Sequence, residues 1–318
     1  MSERDWRELL AAQQARGKFV CVGLDSAEDK LPKSNGPRLV TLYGSGYTLE
    51  GQAAFNTRII DATLDIAGYY KPNLAFYRGA RGKEALRDTI NYARIVAPDI
   101  PIILDAKYGD IGNTNNGYVA EAFDYFGADA VTIHPYMGME AMKPFLDRAD
   151  KGVIVLVKTS NPGSAEFQDP AMQAWFAEEN PDLLYPCKRD VEDQGLIPHP
   201  RIVPTLVYVA KRLAGFWNYN GNVAVVVGAT YPHQLADVRE AIGDMPILLP
   251  GIGAQDGDLE AAVENGRNSL GQGMIINSSR GIIFASQGED FAERASEEAW
   301  KLHDAAHSLA AHGGGTTD

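Results

Sequence analysis

With only two cysteines, Cys21 and Cys187, in 318 residues, the chain holds neither a disulfide framework nor a cysteine-based metal set. Cys21 lies in an apolar run, where a thiol acts as a small buried hydrophobe. No apolar stretch reaches the roughly 18 residues that a membrane-spanning helix needs, so no membrane partner is expected. Basic residues are scarce as well: 29 Lys and Arg face 42 Asp and Glu, for a formal net charge of -13. That balance argues against nucleic acid as a partner, because a phosphate backbone rewards a basic surface. A small anionic ligand stays open, since a pocket needs only one arginine or a few backbone N–H groups. The opening "MSERDWRELLAAQQARG" lacks the apolar core and cleavage site of a signal peptide and is patterned as a helix over 1–18, so a cytoplasmic location is expected.

What the chain does have is a series of short, mostly β-branched apolar runs. They are "FVCVGLD" (19–25), "YYKPNLAFY" (69–77), "IPIILDAKYGD" (100–110), "AVTIHPY" (130–136), "GVIVLVKTS" (152–160), "VAVVVGAT" (223–230), "PILLPGIG" (246–253) and "GMIINSSRG" (273–281). Each is nearly continuous rather than alternating, the pattern of parallel strands buried on both faces. Between them lie amphipathic segments of helix length, such as 50–68, 115–127 and 231–243. Eight such alternations predict an α/β fold, a (β/α)8 TIM barrel. A doubly wound sheet is the competing arrangement, but "GLDSAED" after the first strand is not its glycine fingerprint. Long loops are expected after strands 1 and 5, over 26–49 and 161–202. No repeat or linker divides 1–318, which reads as a single domain with a disordered tail at 312–318.

Active sites of such barrels sit at the C-terminal ends of the strands. Here those ends carry Asp25, Lys71, Asp105, Lys107, Ser160, a "PGIG" turn and Arg280. Asp105 and Lys107 are two apart on a strand, so their side chains should share a face, and Lys71 on the neighbouring strand should lie beside Asp105. The plainer reading is an ion pair that fixes the strand end, with Thr114 as a helix N-cap. Lysines alternating with aspartates stay protonated. They suit stabilising a carbanion and then protonating it better than forming a Schiff base. "PGIGAQDGD" (250–258) and "NSSRG" (277–281) follow strands seven and eight, the usual phosphate position in these barrels, where Arg280 offers a bidentate contact. His303 and His307 in "HDAAH" are four apart like a metal pair but lack the glutamate of the zinc-protease motif, so no metal site is assigned. His134 is expected to be a hydrogen-bonded structural imidazole.

These residues match a known pattern. "DAKYGDIGNT" (105–114) resembles the Asp-x-Lys-x-x-Asp-Ile/Val-x-x-Thr motif of orotidine 5'-phosphate decarboxylases. "VGLD" (22–25), "YYKPN" (69–73), "VVGAT" (226–230), "PGIGAQ" (250–255) and "SSRG" (278–281) follow in that family's order. The resemblance is to its longer bacterial branch, with Asn115 where an apolar residue is common. It implies cofactor-independent decarboxylation of orotidine 5'-phosphate to UMP, the final step of de novo pyrimidine synthesis. It also implies a charge network of Lys71, Asp105, Lys107 and Asp110, with Lys107 as proton donor to C6. Asp25 and Thr114 would bind the ribose region and Ser160 the pyrimidine. Gly251, Gly253, Gln255 and Arg280 would hold the phosphate side. Asp110 and Thr114 reach the neighbouring subunit's site in that family, which implies a homodimer with shared active sites. One rival is a metal-dependent sugar-phosphate decarboxylase or aldolase, such as the 3-keto-gulonate-phosphate group. Those enzymes add a glutamate where Leu104 stands here. The other rival is a catalytically silent phosphate-binding barrel.

Overall fold

The computed structural model describes residues 4–32, 40–41, 48–49, 51–180, 182–252 and 257–312. Eight parallel strands form the central sheet: β1 (Val20–Gly23), β2 (Tyr69–Lys71), β3 (Ile103–Tyr108), β4 (Ala130–Ile133), β5 (Gly152–Lys158), β6 (Val223–Val227), β7 (Ile247–Pro250) and β8 (Met274–Ser278). Their order is β2-β1-β8-β7-β6-β5-β4-β3. Paired bridges Tyr70–Ile102 and Asn73–Asp105 then join β2 to β3 and complete the ring. The barrel expected from the eight apolar runs is therefore the observed fold.

The pleat sorts the strand residues between two cores. Val22, Tyr70, Leu104, Val131, Val155, Val225, Leu249 and Ile276 face outward into the layer of helices. Cys21, Tyr69, Ile103, Ala130, Ile154, Ala224, Leu248 and Ile275 fill the barrel interior. Two residues further along the same inner face come Lys71, Asp105, Thr132 and Asn277, with Lys158 four residues beyond Ile154. The lower interior is apolar and the upper interior polar. That change in composition places the mouth of the barrel.

Helix α1 (Trp6–Ala15) plugs the other end. Trp6, only 1% exposed, joins the interior cluster, and a Cβ on Gly152 would come within 2.6 Å of its indole. Gln14 donates to the Tyr69 hydroxyl (2.6 Å) and the Met274 carbonyl (2.8 Å), and accepts from Gly273 N (2.8 Å). Asp5 caps the helix by accepting from Arg7 N. Trp6→Ala is expected to lower stability by about 3–5 kcal/mol, the usual cost of emptying a buried aromatic site. Chemical denaturation at equilibrium measures this, and a loss under ~1 kcal/mol would mean the plug contributes little.

The helical layer comprises α2 (Gly51–Thr63), α3 (Gly79–Val96), α4 (Gly112–Val119), α5 (Gly138–Leu146), α6 (Thr205–Arg212), α7 (Pro232–Ile242), α8 (Leu259–Gly266) and α9 (Phe291–His312). The connection after β1 is long, as expected, though much of it lies outside the described residues. So does the tail from 313 onward. The connection after β5 is not the long loop expected from its prolines. It folds into a three-stranded antiparallel sheet in the order Pro198–Pro204, Ala171–Ala177, Leu184–Tyr185. The proline-rich strand lies at the edge of that sheet, where missing N–H groups are tolerated. Ala174, Phe176 and Leu184 give this sheet a small core of its own, with Val203 and Tyr208 packed against it.

Candidate active site

Lys71 ends β2 and Asp105 lies on β3, and ring closure brings them together. Lys71 Nζ is 3.2 Å from Asp105 Oδ2 and 3.8 Å from Asp25 Oδ1. Lys107 Nζ donates to the other oxygen of Asp105 at 2.6 Å. Asp105 thus stands between two ammonium groups. Thr132 from β4 also donates to it (2.9 Å), and Asn73 Nδ2 lies at 3.3 Å.

Burial by itself would raise the Asp105 pKa, yet the charges of Lys71 and Lys107 outweigh it and hold the carboxyl well below the usual carboxylate range. Burial likewise pulls the Lys71 pKa down, but Asp25 and Asp105 more than reverse this, so it sits above the ordinary lysine value. Both groups are therefore charged at neutral pH. The apolar surroundings of Cys21 push its thiol up to about 12, which suits an inert core residue.

The signs give a pH prediction. Asp105, depressed in the fold, contributes stability above its ordinary pKa of 3.8 that is lost as pH falls through its lower folded value. Lys71, raised in the fold, contributes stability below 10.5 that is lost as pH rises through its higher folded value. Carbon-13 NMR of the wild type should therefore keep the Asp105 carboxyl at one chemical shift between pH 5 and 9, roughly a unit inside those ordinary values. A shift that titrates near pH 7 would contradict the assignment of charges.

The two lysines are not equivalent. The Lys71 side chain is 4% exposed and that of Lys107 is 48% exposed, so only Lys107 combines contact with the carboxylate and access to the mouth. The expected reason for its direction, strand alternation, is not the whole one. Between Leu104 and Tyr108 the β3 strand bulges against β4: those residues pair with Val131 and Ile133, which are only two apart. Thr132 Oγ1 accepts the N–H groups of both Ala106 (3.0 Å) and Lys107 (2.9 Å) across the bulge. Lys107 adopts φ 52°, and it is the only non-glycine residue with positive φ among those described. A bulge re-aims a side chain, and a long side chain in the left-handed region stores strain that the surrounding bonds must hold.

Other expected site residues are distributed around the mouth. Asp25 Oδ1 is buried and has no hydrogen-bond partner among the described residues. Ser160 follows β5, where a Cβ on Gly228 would come within 2.9 Å of its Cα, so the two connections are in close contact. Gly251 turns the chain after β7 at φ 101°. Arg280 is exposed at the start of the short helix Arg280–Ile283 and has no ion-pair partner among the described residues. Gly253 and Gln255 lie outside the described residues.

Asp110 and Thr114 do not join the Lys–Asp cluster within this chain. Asp110 accepts from Ile111 N (2.7 Å), just ahead of α4. Thr114 is exposed in the first turn of α4 rather than capping it; the N-cap position is Ile111, whose apolar side chain cannot cap. Within the chain, the second carboxylate near Lys71 is Asp25. Asn115 is buried and donates to the carbonyls of Asp110 and Ala141, both at 2.6 Å, which explains a polar residue at that position. His134 does not match the expected hydrogen-bonded imidazole: it packs on Gly109, and its Nδ1 has no partner among the described residues. Among those residues, too, no group of three His, Cys, Asp or Glu is arranged to hold a metal ion. Among the described residues no helix is long and apolar enough to cross a membrane.

Sequence reasoning alone does not single out Thr132, Asn73, Asn277 or Lys158. Thr132 carries a signal, as a polar residue two past Ala130 on the inner face. The importance of Asn73 depends on barrel closure, which local sequence does not report.

Residues 18–182 match a family model described as the orotidine 5'-phosphate decarboxylase / HUMPS family. An orotidine 5'-phosphate decarboxylase of Ralstonia pickettii is 41% identical over 297 residues, covering 93% of this chain and 96% of that protein. One from Cupriavidus necator is 42% identical over 288 residues, covering 91% and 92%. Among solved structures, a putative orotidine-monophosphate-decarboxylase from Toxoplasma gondii superposes with a TM-score of 0.74 at 33% identity, covering 98% of both chains. OMP decarboxylase of Leishmania donovani gives 0.69 at 33% identity, covering 94% of this chain and 99% of that one. Fold, motif order and full-length similarity agree: the chain belongs to the orotidine 5'-phosphate decarboxylase / HUMPS family.

Proposed function

We propose that this protein decarboxylates orotidine 5'-phosphate to UMP, the last step of de novo pyrimidine synthesis, using electrostatics supplied by its own side chains. The observation that carries this reading is the placement of Asp105 between buried Lys71 and accessible Lys107 at the barrel mouth. Loss of CO2 from C6 breaks the C–C bond and leaves an electron pair in the ring plane, outside the π system. A fixed ammonium next to that atom stabilises the charge without having to reorganise. Lys107 then gives a proton from Nζ to C6, which forms the C–H bond of UMP. Asp105 orients Lys107, and Lys71 keeps Asp105 ionised.

Asp25, whose buried Oδ1 faces Lys71 but makes no hydrogen bond among the described residues, serves the ribose hydroxyls, and Ser160 serves the pyrimidine. Arg280 and the turn at Gly251, with Gly253 and Gln255, hold the phosphate. Binding energy from that phosphate keeps the reacting carboxylate among charges it would otherwise avoid.

Asp110 and Thr114 are assigned to a neighbouring subunit's site in a homodimer. Ile111, Tyr136 and Met137, at the ends of adjacent strands β3 and β4, are 58%, 85% and 45% exposed. Such apolar exposure beside a polar mouth suits a protein interface. A cytoplasmic location fits a phosphorylated substrate, which does not cross membranes unaided.

The direct test follows the loss of orotidine 5'-phosphate absorbance with purified protein, with and without EDTA. Metal-independent conversion to UMP is the expected result. Folded protein that gives no conversion, or that needs added magnesium, would redirect the reading to the metal-dependent relatives or to a silent binder. Leu104, buried in the outer core where those relatives have a glutamate, gives no support to a metal reading.

A further inference from the structure

Lys158 has no role in the chemistry described above, yet it is a cation with no exposed surface at the end of β5. It lies on the inner face of the barrel, four residues past Ile154. Its Nζ donates to Asp169 Oδ1 at 2.5 Å and sits 4.4 Å from the centre of the Tyr231 ring. Asp169 lies at the far end of the segment that begins with Thr159 and Ser160, so this ion pair closes that segment into a loop.

A second clasp lies beside the first. Gln168 Oε1 accepts Thr159 N–H at 2.9 Å, and Gln168 Nε2 donates to Thr159 Oγ1 at 3.0 Å. Tyr231, whose ring face meets the ammonium, also donates its hydroxyl to the Asn161 carbonyl at 3.3 Å. Gly228 passes close beside Ser160, near enough that a Cβ on it would come within 2.9 Å of the Ser160 Cα, and Gly228 N donates to Lys158 O at 2.8 Å. Ser160 and its neighbours are therefore held at both ends with Gly228 alongside, and Lys158 touches three of the four holding groups: Asp169, Tyr231 and Gly228. An ion pair whose cation is fully buried while its carboxylate is 33% exposed adds little net stability, because desolvation of the lysine offsets the attraction; what such a pair can provide is a defined geometry.

We propose that Lys158 is a positioning residue for the nucleobase side of the site, fixing Ser160 through its ion pair with Asp169 and its contact with Tyr231. This rests on the reading of Ser160 as a pyrimidine contact. It assigns a role to the first residues of the insertion after β5: their inner end is part of the base-recognition loop, tied to the barrel by one buried cation.

The test compares wild type with Lys158→Met, Asp169→Asn and the double variant. The double variant leaves no unpaired charge behind and so guards against simple misfolding. Each is assayed for kcat and KM with orotidine 5'-phosphate, and for inhibition by UMP and by ribose 5-phosphate, which lacks the base. Expected is a rise in KM and in the UMP inhibition constant of about 10- to 100-fold, the scale of a ~1 Å misplacement, with ribose 5-phosphate inhibition unchanged. Native KM in the double variant would overturn the proposal. So would equal weakening of UMP and ribose 5-phosphate, which would show a merely structural pair. Wild type that neither turns over orotidine 5'-phosphate nor binds UMP would overturn the functional reading itself, and this shows before any variant is made.

Discussion

Lys107→Ala is expected to bind UMP within about tenfold of wild type while losing at least ~10⁴-fold in kcat, because one truncation removes a general acid and a charge stabiliser together. The geometry gives this residue both tasks. Lys71 is sealed beneath Asp105, so it cannot exchange a proton with a bound base, whereas Lys107 has half its side chain exposed. UMP has no carboxylate at C6 and makes no demand on the ammonium, so its affinity should change little. Steady-state kinetics and UMP titration on the same preparation measure both halves. Turnover within tenfold of wild type would remove Lys107 from the acid role. Loss of UMP affinity in parallel with kcat would make it a binding residue instead.

Equal mixtures of Lys107→Ala and Asp110→Ala chains, each inactive alone, should recover about a quarter of wild-type activity once subunits have exchanged at random within a two-fold dimer. The reason is the separation seen within one chain. Asp110 makes no ion pair with the Lys71–Asp105–Lys107 cluster and instead accepts from Ile111 N at the outer rim, beside exposed Ile111. A site needing Lys107 from one subunit and Asp110 from the other is intact once in each mixed dimer. Half the dimers are mixed, and each carries one working site of two. Recovery would establish shared sites. Its absence, after exchange is verified by mass or by tag capture, would mean that each subunit's site is self-contained.

Much of the fold and of the candidate site is legible in the residues themselves. Eight short, nearly continuous apolar runs, most of them β-branched, read as strands covered on both faces, and eight of them alternating with helices leave few arrangements besides a barrel. The charged residues ending "IILDAK" and "YYK" have to lie where a buried strand meets solvent, which is the barrel mouth. Their chemistry follows from residue type: a carboxylate between two ammonium groups stays ionised.

Other features depend on contacts between segments far apart in sequence. Alternation puts Asp105 and Lys107 on one face, but their actual meeting uses a bulge held by Thr132 from the next strand. The insertion after β5 reads as a loop because proline weakens strand propensity, and only its place at a sheet edge makes those prolines acceptable. The pairing of Lys158 with Asp169 is hidden for a similar reason: nothing local distinguishes a lysine that ends a strand in solvent from one folded back under a loop.

The sequence by itself determined the barrel, its polar end and the kinds of group found there, because burial periodicity and charge are properties of short segments. Which lysine reaches the mouth, which carboxylate it meets, and what holds the base-side loop were decided only by the tertiary structure. Ring closure and cross-strand hydrogen bonds set those distances, and they act between residues that the chain itself keeps apart.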